Sequence, residues 1–387
     1  MKGCSEWDVG YAPYHLWDLV GTRPFWSNLP KCGTKDELKA AIDEYKKYGI
    51  KIYLHAVLNH KAGGDETEVF KAAGVAEDDR DEAYTKFTFP GATEKKYSDF
   101  EWHYYHFSGT DWDQRAQRSA VFDDVDGDNG NFDYLMCCDI EYKHPDVVEE
   151  TKKWAMWEYW KEGVDALDAY LENNGQIRLF DVPLHFNFAR AGREGPSFNM
   201  RTVFDGTLAE SSPESAVTFI NNHDTQPFQD LESYVEPWFK PLAAALICLQ
   251  FDKCLCLFYG DFYGIETKSP EEPHTAIPGR KEMFSRVLLA RNQFSYGPQM
   301  DYFDHGNCVG WVRFRDEHHP KGLAVVISNS ASGYKKMDVG KDKAGQVWAD
   351  MMGYWKDPVT INQDGWTKFH CHSGSASIWV QKEEGKH

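Results

Sequence analysis

Ala216-Val217-Thr218-Phe219-Ile220-Asn221-Asn222-His223-Asp224-Thr225-Gln226-Pro227 decides how this chain is read. An apolar, β-branched run turns abruptly polar, the pattern of a buried strand with a chemically equipped tip. In a parallel α/β barrel, catalytic groups stand at the C-terminal ends of the strands. A His-Asp pair placed there can hydrogen-bond neighbouring hydroxyls and stabilise positive charge developing on a carbon. A polar loop after a strand is the plainer reading, and a second tip weighs against it. Ile52-Tyr53-Leu54-His55-Ala56-Val57-Leu58 is again apolar and ends in Asn59-His60, followed by the Gly63-Gly64 exit.

Outward from these tips the chain alternates helix and strand. Lys35 to Tyr48 places Leu38, Ala41, Ile42 and Tyr45 at helical spacing, and the run Ile50 to Leu58 follows as a strand. That step is the unit of parallel sheets. Residues 61–142 lose the alternation and read as an irregular insertion rich in Asp, Gly and aromatics. Helical patterning returns at Pro145. Ile177 to Leu184, Ala216 to Asn221 and Cys254 to Tyr259 then read as short strands, each preceded by helical material. Near residue 300 the pattern changes to turn-separated strands at Cys308–Phe314, Gly322–Ser328, Val347–Met351 and Ser375–Gln381, an antiparallel β domain.

Composition narrows the chemistry. With 387 residues, 42% of them hydrophobic, the chain can build more than one core. A net charge of −19 argues against nucleic acid and anionic membranes as partners, since both demand a cationic face. Fourteen Trp and twenty Tyr suit a surface that stacks sugar rings, although most belong in a core. Nine cysteines without a CxxC pair argue against zinc and for reduced thiols. The start of the chain shows no apolar signal core. The run Leu242 to Tyr259 is broken by Asp252 and Lys253, so it does not read as a membrane span.

Strand tips carrying Asn-His and Asn-His-Asp resemble two signature regions of the α-amylase family of glycoside hydrolases. Asp8-Val9-Gly10-Tyr11 resembles that family's substrate-stacking tyrosine segment, and Gly33 to Leu38 resembles the start of the helix before the third barrel strand. Asn131 to Met136 with Asp139-Ile140-Glu141 resembles the calcium-binding part of a long inserted domain. Trp157-Glu158-Tyr159-Trp160 is similar to the Glu-Tyr-Trp of the fifth strand tip. Glu236 to Ala243 is similar to a segment of the fungal and bacterial intracellular-type enzymes. The resemblance runs in order through almost the whole chain. It implies a (β/α)8 TIM barrel, incomplete as written, with an inserted calcium-binding domain and a C-terminal antiparallel β domain. The implied division is 1–60 for the barrel start including strand three and 61–142 for the calcium-binding insertion. Residues 143–300 are the remaining barrel, and 301–387 a C-terminal β-sandwich.

The resemblance also implies retaining hydrolysis of α-1,4-glucans such as starch, glycogen and maltooligosaccharides. Glu158 would be the acid/base and Asp224 the transition-state stabiliser. His60 and His223 would hydrogen-bond the sugar at the cleavage subsite, with Tyr11 stacking beneath it and Trp160 also contacting substrate. An exposed helical glutamate is the competing reading of Glu158. Calcium, a hard ion that takes oxygen ligands, would be held by Asn59, Asp133, Asp139 and Glu141. Glu141 stands where the family has Asp, and a solvated acidic loop is the competing reading of this cluster. The expected partner is an α-glucan, with no nucleic acid and no membrane. The chain is expected to act as a monomer in the cytoplasm, with secretion left open because the beginning looks short.

One part of the family pattern is missing. Retaining hydrolysis needs a second carboxyl group about 5 Å from the acid/base as nucleophile. In the family it lies in a strand reading Gly-Phe-Arg-Leu-Asp-Ala-x-Lys-His, before the acid/base. Only 16 residues separate Glu141 from Glu158, and a barrel βα unit takes roughly 30. Arg178-Leu179-Phe180-Asp181 resembles the missing motif superficially. Its Arg-to-Asp spacing of three puts the two side chains on opposite faces of a strand, and its position matches the sixth strand. The chain as written is therefore expected to fold poorly or to be inactive. A non-catalytic glucan-binding protein and a glucanotransferase are the alternatives.

Overall fold

The computed structural model describes residues 2–3, 11–15, 35–49, 52, 57–72, 80–89, 100–115, 117–122, 137–151, 160–174, 177–227, 229, 231–250, 254–267 and 275–382. The chain divides into two compact units, Met1–Met156 and Trp157–His387.

The first unit is mostly antiparallel. Short strands β1 (Lys2–Gly3) and β2 (Pro13–His15) pair with each other, and α1 (Lys35–Lys47) follows. The predicted helix is thus present, but Leu38 and Tyr45 of its apolar stripe lie exposed. Most of the predicted strand Ile50–Leu58 lies outside the described residues. Then come β3 (His60–Lys61), β4 (Glu66–Phe70), β5 (Asp81–Lys86), β6 (Phe107–Thr110), β7 (Ala120–Val121) and β8 (Cys138–Ile140). They form a four-stranded sheet of order β3-β8-β6-β7 and a β4-β5 hairpin. The insertion is more regular than its sequence suggests. Its aromatics explain this: Phe70, Phe87, Trp102, Phe107 and Phe122 make the core, where no helical or strict two-residue period announces them. Lys61 is buried in that core. Its ammonium donates to the Tyr14 carbonyl and lies 4.7 Å from the Phe87 ring centre, and burial pulls its pKa down to about 7. The unit closes with α2 (Pro145–Thr151), where helical patterning was expected to return.

The second unit combines a parallel sheet and a β-sandwich. After α3 (Val164–Asn174) comes β9 (Leu179–Phe180). The strand expected over Ile177–Leu184 is only two residues long, because α4 (Val182–Glu194) starts at once. Asp181 caps it, accepting the Leu184 N–H, and Pro183 stands in its first turn. Next are α5 (Leu208–Ser211), β10 (Ala216–Phe219), α6 (Lys240–Leu249) and β11 (Cys254–Cys256). β9, β10 and β11 are parallel in the order β11-β10-β9, with Val217 opposite both Phe180 and Cys254. Helix α6 reads apolar all round and is buried over all ten residues, as such a helix must be.

α7 (Tyr259–Tyr263), the hairpin of β12 (Gly264–Thr267) and β13 (Thr275–Pro278), and α8 (Lys281–Phe294) lead to the C-terminal strands. These are β14 (Gln299–Tyr302), β15 (Cys308–Arg313), β16 (Leu323–Ser328), β17 (Gly333–Asp338), β18 (Val347–Asp350), β19 (Val359–Thr360), β20 (Trp366–Cys371) and β21 (Ser375–Gln381). Six form an antiparallel sheet, β14-β15-β16-β21-β18-β19, and β17-β20 pair separately. Leu323, Val325 and Ile327 of β16 join the core that holds α6 and α8. Ala324 and Val326, on the opposite face, join a second core with Phe369 and Trp379. Being covered on both sides is why β16 reads as a continuous apolar run rather than an alternating one.

Candidate active site

The polar tip of β10 is built from beneath. Asn221 is buried at the strand end, and its amide donates to both carboxylate oxygens of Asp261 at 2.9 and 3.2 Å. Its own carbonyl oxygen accepts the Val235 N–H at 3.0 Å. Buried Lys240 donates to Asp261 and to the Tyr234 hydroxyl. Burial lowers the Lys240 pKa against the pull of Asp261, and raises that of Tyr234. An ion pair, a neutral amide and a phenol thus satisfy one another where unpaired charge would be unaffordable.

Above this base the chain turns tightly. The Asn222 side chain accepts the N–H groups of Asp224 at 3.0 Å and Thr225 at 2.8 Å, while the Thr225 hydroxyl accepts the Asn222 N–H at 2.9 Å. These side-chain-to-backbone bonds fix the loop and leave His223 and Asp224 projecting. The His223 Nε2 lies 3.3 Å from Asp224 Oδ1; the two side chains are 40% and 38% exposed, with the Nε2 atom itself covered. Trp160 packs near the same tip, its ring centre 6.0 Å from Phe219. His185, which the motif reading passed over, stacks on Phe219 at 5.1 Å. Its Nδ1–H donates to the Ile220 carbonyl at 2.6 Å, and burial pulls its pKa down to about 4. A neutral histidine therefore anchors Ile220, the residue just past the end of β10. His185 and Asp261 are positioning residues outside the family segments quoted above, whereas Asn221 and Lys240 lie within them.

Asp181, the superficial nucleophile motif, does other work. It is fully buried and accepts the N–H groups of Leu184, Leu208 and Ala209 at 3.2, 3.1 and 2.7 Å. A carboxylate consumed by three backbone donors joins two helix starts and cannot meet a substrate.

In the first unit, Tyr11, Asn59, His60 and Asp139 come together. Buried His60 donates from Nε2 to the Tyr11 carbonyl at 2.7 Å, and the Tyr11 ring is 38% exposed. His60 stands opposite Asp139 in the β3–β8 register. Asn59 donates to Asp139 Oδ1 at 3.3 Å, and the Ser108 hydroxyl donates to its Oδ2 at 2.6 Å. These amide and carboxylate oxygens fit the demands of a hard cation. The Glu141 carboxylate follows two residues on but accepts the Lys143 N–H at 2.7 Å. Asp133 and Glu158 lie outside the described residues.

A second cluster could hold a metal by spacing alone: ligand atoms of His106, His144 and Asp146 lie within 4.8 Å of one another. Its hydrogen bonds oppose this. His106 Nδ1 accepts the His103 N–H at 2.9 Å, which puts the ring proton on Nε2, the other candidate ligand atom.

Parallel strands alternating with helices, and a polar strand tip braced beneath a half-exposed His-Asp pair, fit an α/β scaffold with its site at the strand ends. Sequence relatives agree. Residues 23–169 match the α-amylase catalytic domain and residues 323–380 the α-amylase C-terminal domain. The chain is 39% identical to a glucan 1,4-alpha-maltohexaosidase of Bacillus sp. (strain 707), over 98% of this chain and 84% of that protein. It is 39% identical to an α-amylase of Bacillus licheniformis, with 98% and 85% covered. With a cytoplasmic α-amylase of Escherichia coli (strain K12) it shares 35% identity, over 99% and 90%. Among solved structures, Geobacillus thermoleovorans α-amylase superposes with a TM-score of 0.57 at 14% identity, over 97% of this chain and 87% of that one. The chain belongs to the α-amylase family, a family of glycoside hydrolases with a TIM barrel and a C-terminal β domain. Its 387 residues cannot fill the 445 positions over which it aligns with the maltohexaosidase. The relative therefore carries internal stretches with no counterpart here.

Proposed function

We propose that this chain is an α-amylase-type glycoside hydrolase directed at α-1,4-glucans, with a retaining site from which the nucleophile segment is absent. The family membership carries this reading, and the braced His223-Asp224 tip supports it. Asp224 is the transition-state stabiliser, His223 and His60 hydrogen-bond the sugar, Tyr11 and Trp160 contact its faces, and Glu158 is the acid/base. The relatives named above are hydrolases, which disfavours a glucanotransferase. Asn59, Asp139, Asp133 and Glu141 would hold calcium, which supplies structural cross-linking and no proton chemistry. The four-segment division 1–60, 61–142, 143–300 and 301–387 remains part of this reading, as do a monomeric state and a cytoplasmic location. Among the described residues no helix is long and apolar enough to cross a membrane.

With Asp181 sequestered, no carboxylate described near the β10 tip other than Asp224 is placed to attack a sugar. Binding is therefore expected without appreciable turnover. Maltooligosaccharide affinity and reducing-sugar release should be measured together on the purified chain and on Asp224→Asn. Affinity weakened in the variant, with release at background in both, is the expected result. Robust release abolished by Glu158→Gln would show that the site is complete and overturn the missing-nucleophile part.

A further inference from the structure

Seven of the nine cysteines are described, and Cys308 and Cys371 are free thiols. These two meet across the β-sandwich. Cys308, half-buried, opens β15 of the six-stranded sheet; Cys371, buried, closes β20 of the opposing pair. Gly333 of β17 stands in register with Cys371. It also lies directly beneath Cys308, whose sulfur is 3.0 Å from where a β-carbon on Gly333 would stand. A side chain at Gly333 would crowd the Cys308 sulfur. Both cysteines belong to the same hydrophobic cluster between the sheets, Cys371 in its buried part and Cys308 packed against it. The Cys308 thiol donates to the Tyr334 carbonyl at 3.9 Å.

We propose that Cys308 and Cys371 are a redox modification site, closed to a disulfide by peroxides. The adjacent Cys371 thiol and the nearby Lys335 ammonium lower the Cys308 pKa, while that of Cys371 is raised. Cys308 is thus the attacking thiolate and Cys371 the resolving thiol. The Cys308 thiolate displaces hydroxide from the peroxide and becomes a sulfenic acid. Cys371 sulfur then attacks the Cys308 sulfur, and water leaves with the Cys371 proton. Two thiols lose two electrons in total, and one hydrogen peroxide is reduced to two waters.

The other described cysteines do not compete. Cys138 and Cys248 are buried, their thiols pushed up to about 12. Cys254 and Cys256 are two residues apart in one strand, where about 6.6 Å separates like-facing positions, at the outer limit of disulfide reach. Cys137 is joined to Cys138 by a single peptide bond. The bond would tie the two sheets together and close the 308–371 loop, which restricts the unfolded chain.

The test uses the full chain, reduced, desalted and treated with a small excess of hydrogen peroxide. It is then alkylated in denaturant and mapped by peptide mass spectrometry. The expected result is two fewer alkylated thiols, one Cys308–Cys371 cross-linked peptide, reversal by dithiothreitol, and a thermal midpoint raised by several degrees. Cys308→Ser should show neither cross-link nor midpoint shift. Both thiols still alkylatable, or cross-links that join other cysteines, would overturn the proposal. The wild-type map decides the matter even where Cys371→Ser fails to fold.

Discussion

The β-sandwich and the parallel sheet of the second unit treat their strands in opposite ways. In the β-sandwich, β16 buries all six residues between two cores. In the parallel sheet, β10 is largely buried while its neighbour β11 leaves Cys254 and Cys256 exposed. Parallel sheets are normally covered on both faces, and among the described residues β11 pairs with β10 alone. Among the described residues the parallel sheet has three strands and the larger sandwich sheet six. The strand tip that carries His223 and Asp224 rests on the polar base of Asn221, Asp261 and Lys240.

The sharpest way to break this comparison is a charge inside the sandwich. Val326 is fully buried between the sheets. Val326→Asp adds an unpaired buried carboxylate and removes packing, and should destabilise by about 4 kcal/mol or more. Urea denaturation followed by Trp fluorescence should show the C-terminal domain unfolded at or near zero urea. A mild effect would mean the sandwich core is looser than its burial implies.

The polar base beneath the site comes next. Asp261→Ala leaves Lys240 buried without its carboxylate and Asn221 without its acceptor. Breaking such a pair costs about 3–5 kcal/mol. Lys240→Met with Asp261→Leu removes both charges and should recover much of the stability, but not glucan affinity, because Asn221 still lacks its anchor. Equal affinity in the double variant and the parent would show that Asn221 positions nothing.

These features differ in how far the sequence announces them. β10 and β16 were legible because strand burial imposes a run of apolar, β-branched residues. The strand tips were legible because polarity flips there. The aromatic core of 61–142 was not, since its side chains come from short strands of irregular spacing. Asp181 was ambiguous by pattern, because a helix cap and a nucleophile can share the same letters. The Asn221–Asp261–Lys240 contact joins positions 40 and 21 residues apart, and no local period encodes a contact of that kind.

Acid should separate the two halves of the second unit by a smaller margin. His185 titrates at about 4 when folded and near 6.5 when unfolded. Between those values the unfolded chain binds the extra proton, so stability falls as pH drops from about 6.5 to 4, by a few kcal/mol at most. Above 6.5 the group contributes no pH dependence. The loss should appear in the parallel-sheet region in hydrogen exchange, and His185→Gln should flatten it. An unchanged slope in the variant would move the acid sensitivity elsewhere.

The smallest expected effect is also the most discriminating for the parallel sheet. Cys254 is exposed on β11, and its strand contacts to Val217 and Thr218 run through the backbone. Cys254→Lys keeps those contacts, and an exposed lysine on a flanking strand is well tolerated. Stability should change by less than about 0.5 kcal/mol. In a closed barrel the same charge would be driven against a neighbouring strand or helix, at a penalty closer to that of Val326→Asp. A loss above about 2 kcal/mol would therefore mean that β11 is covered in solution, and that the barrel is more complete than its strands alone describe.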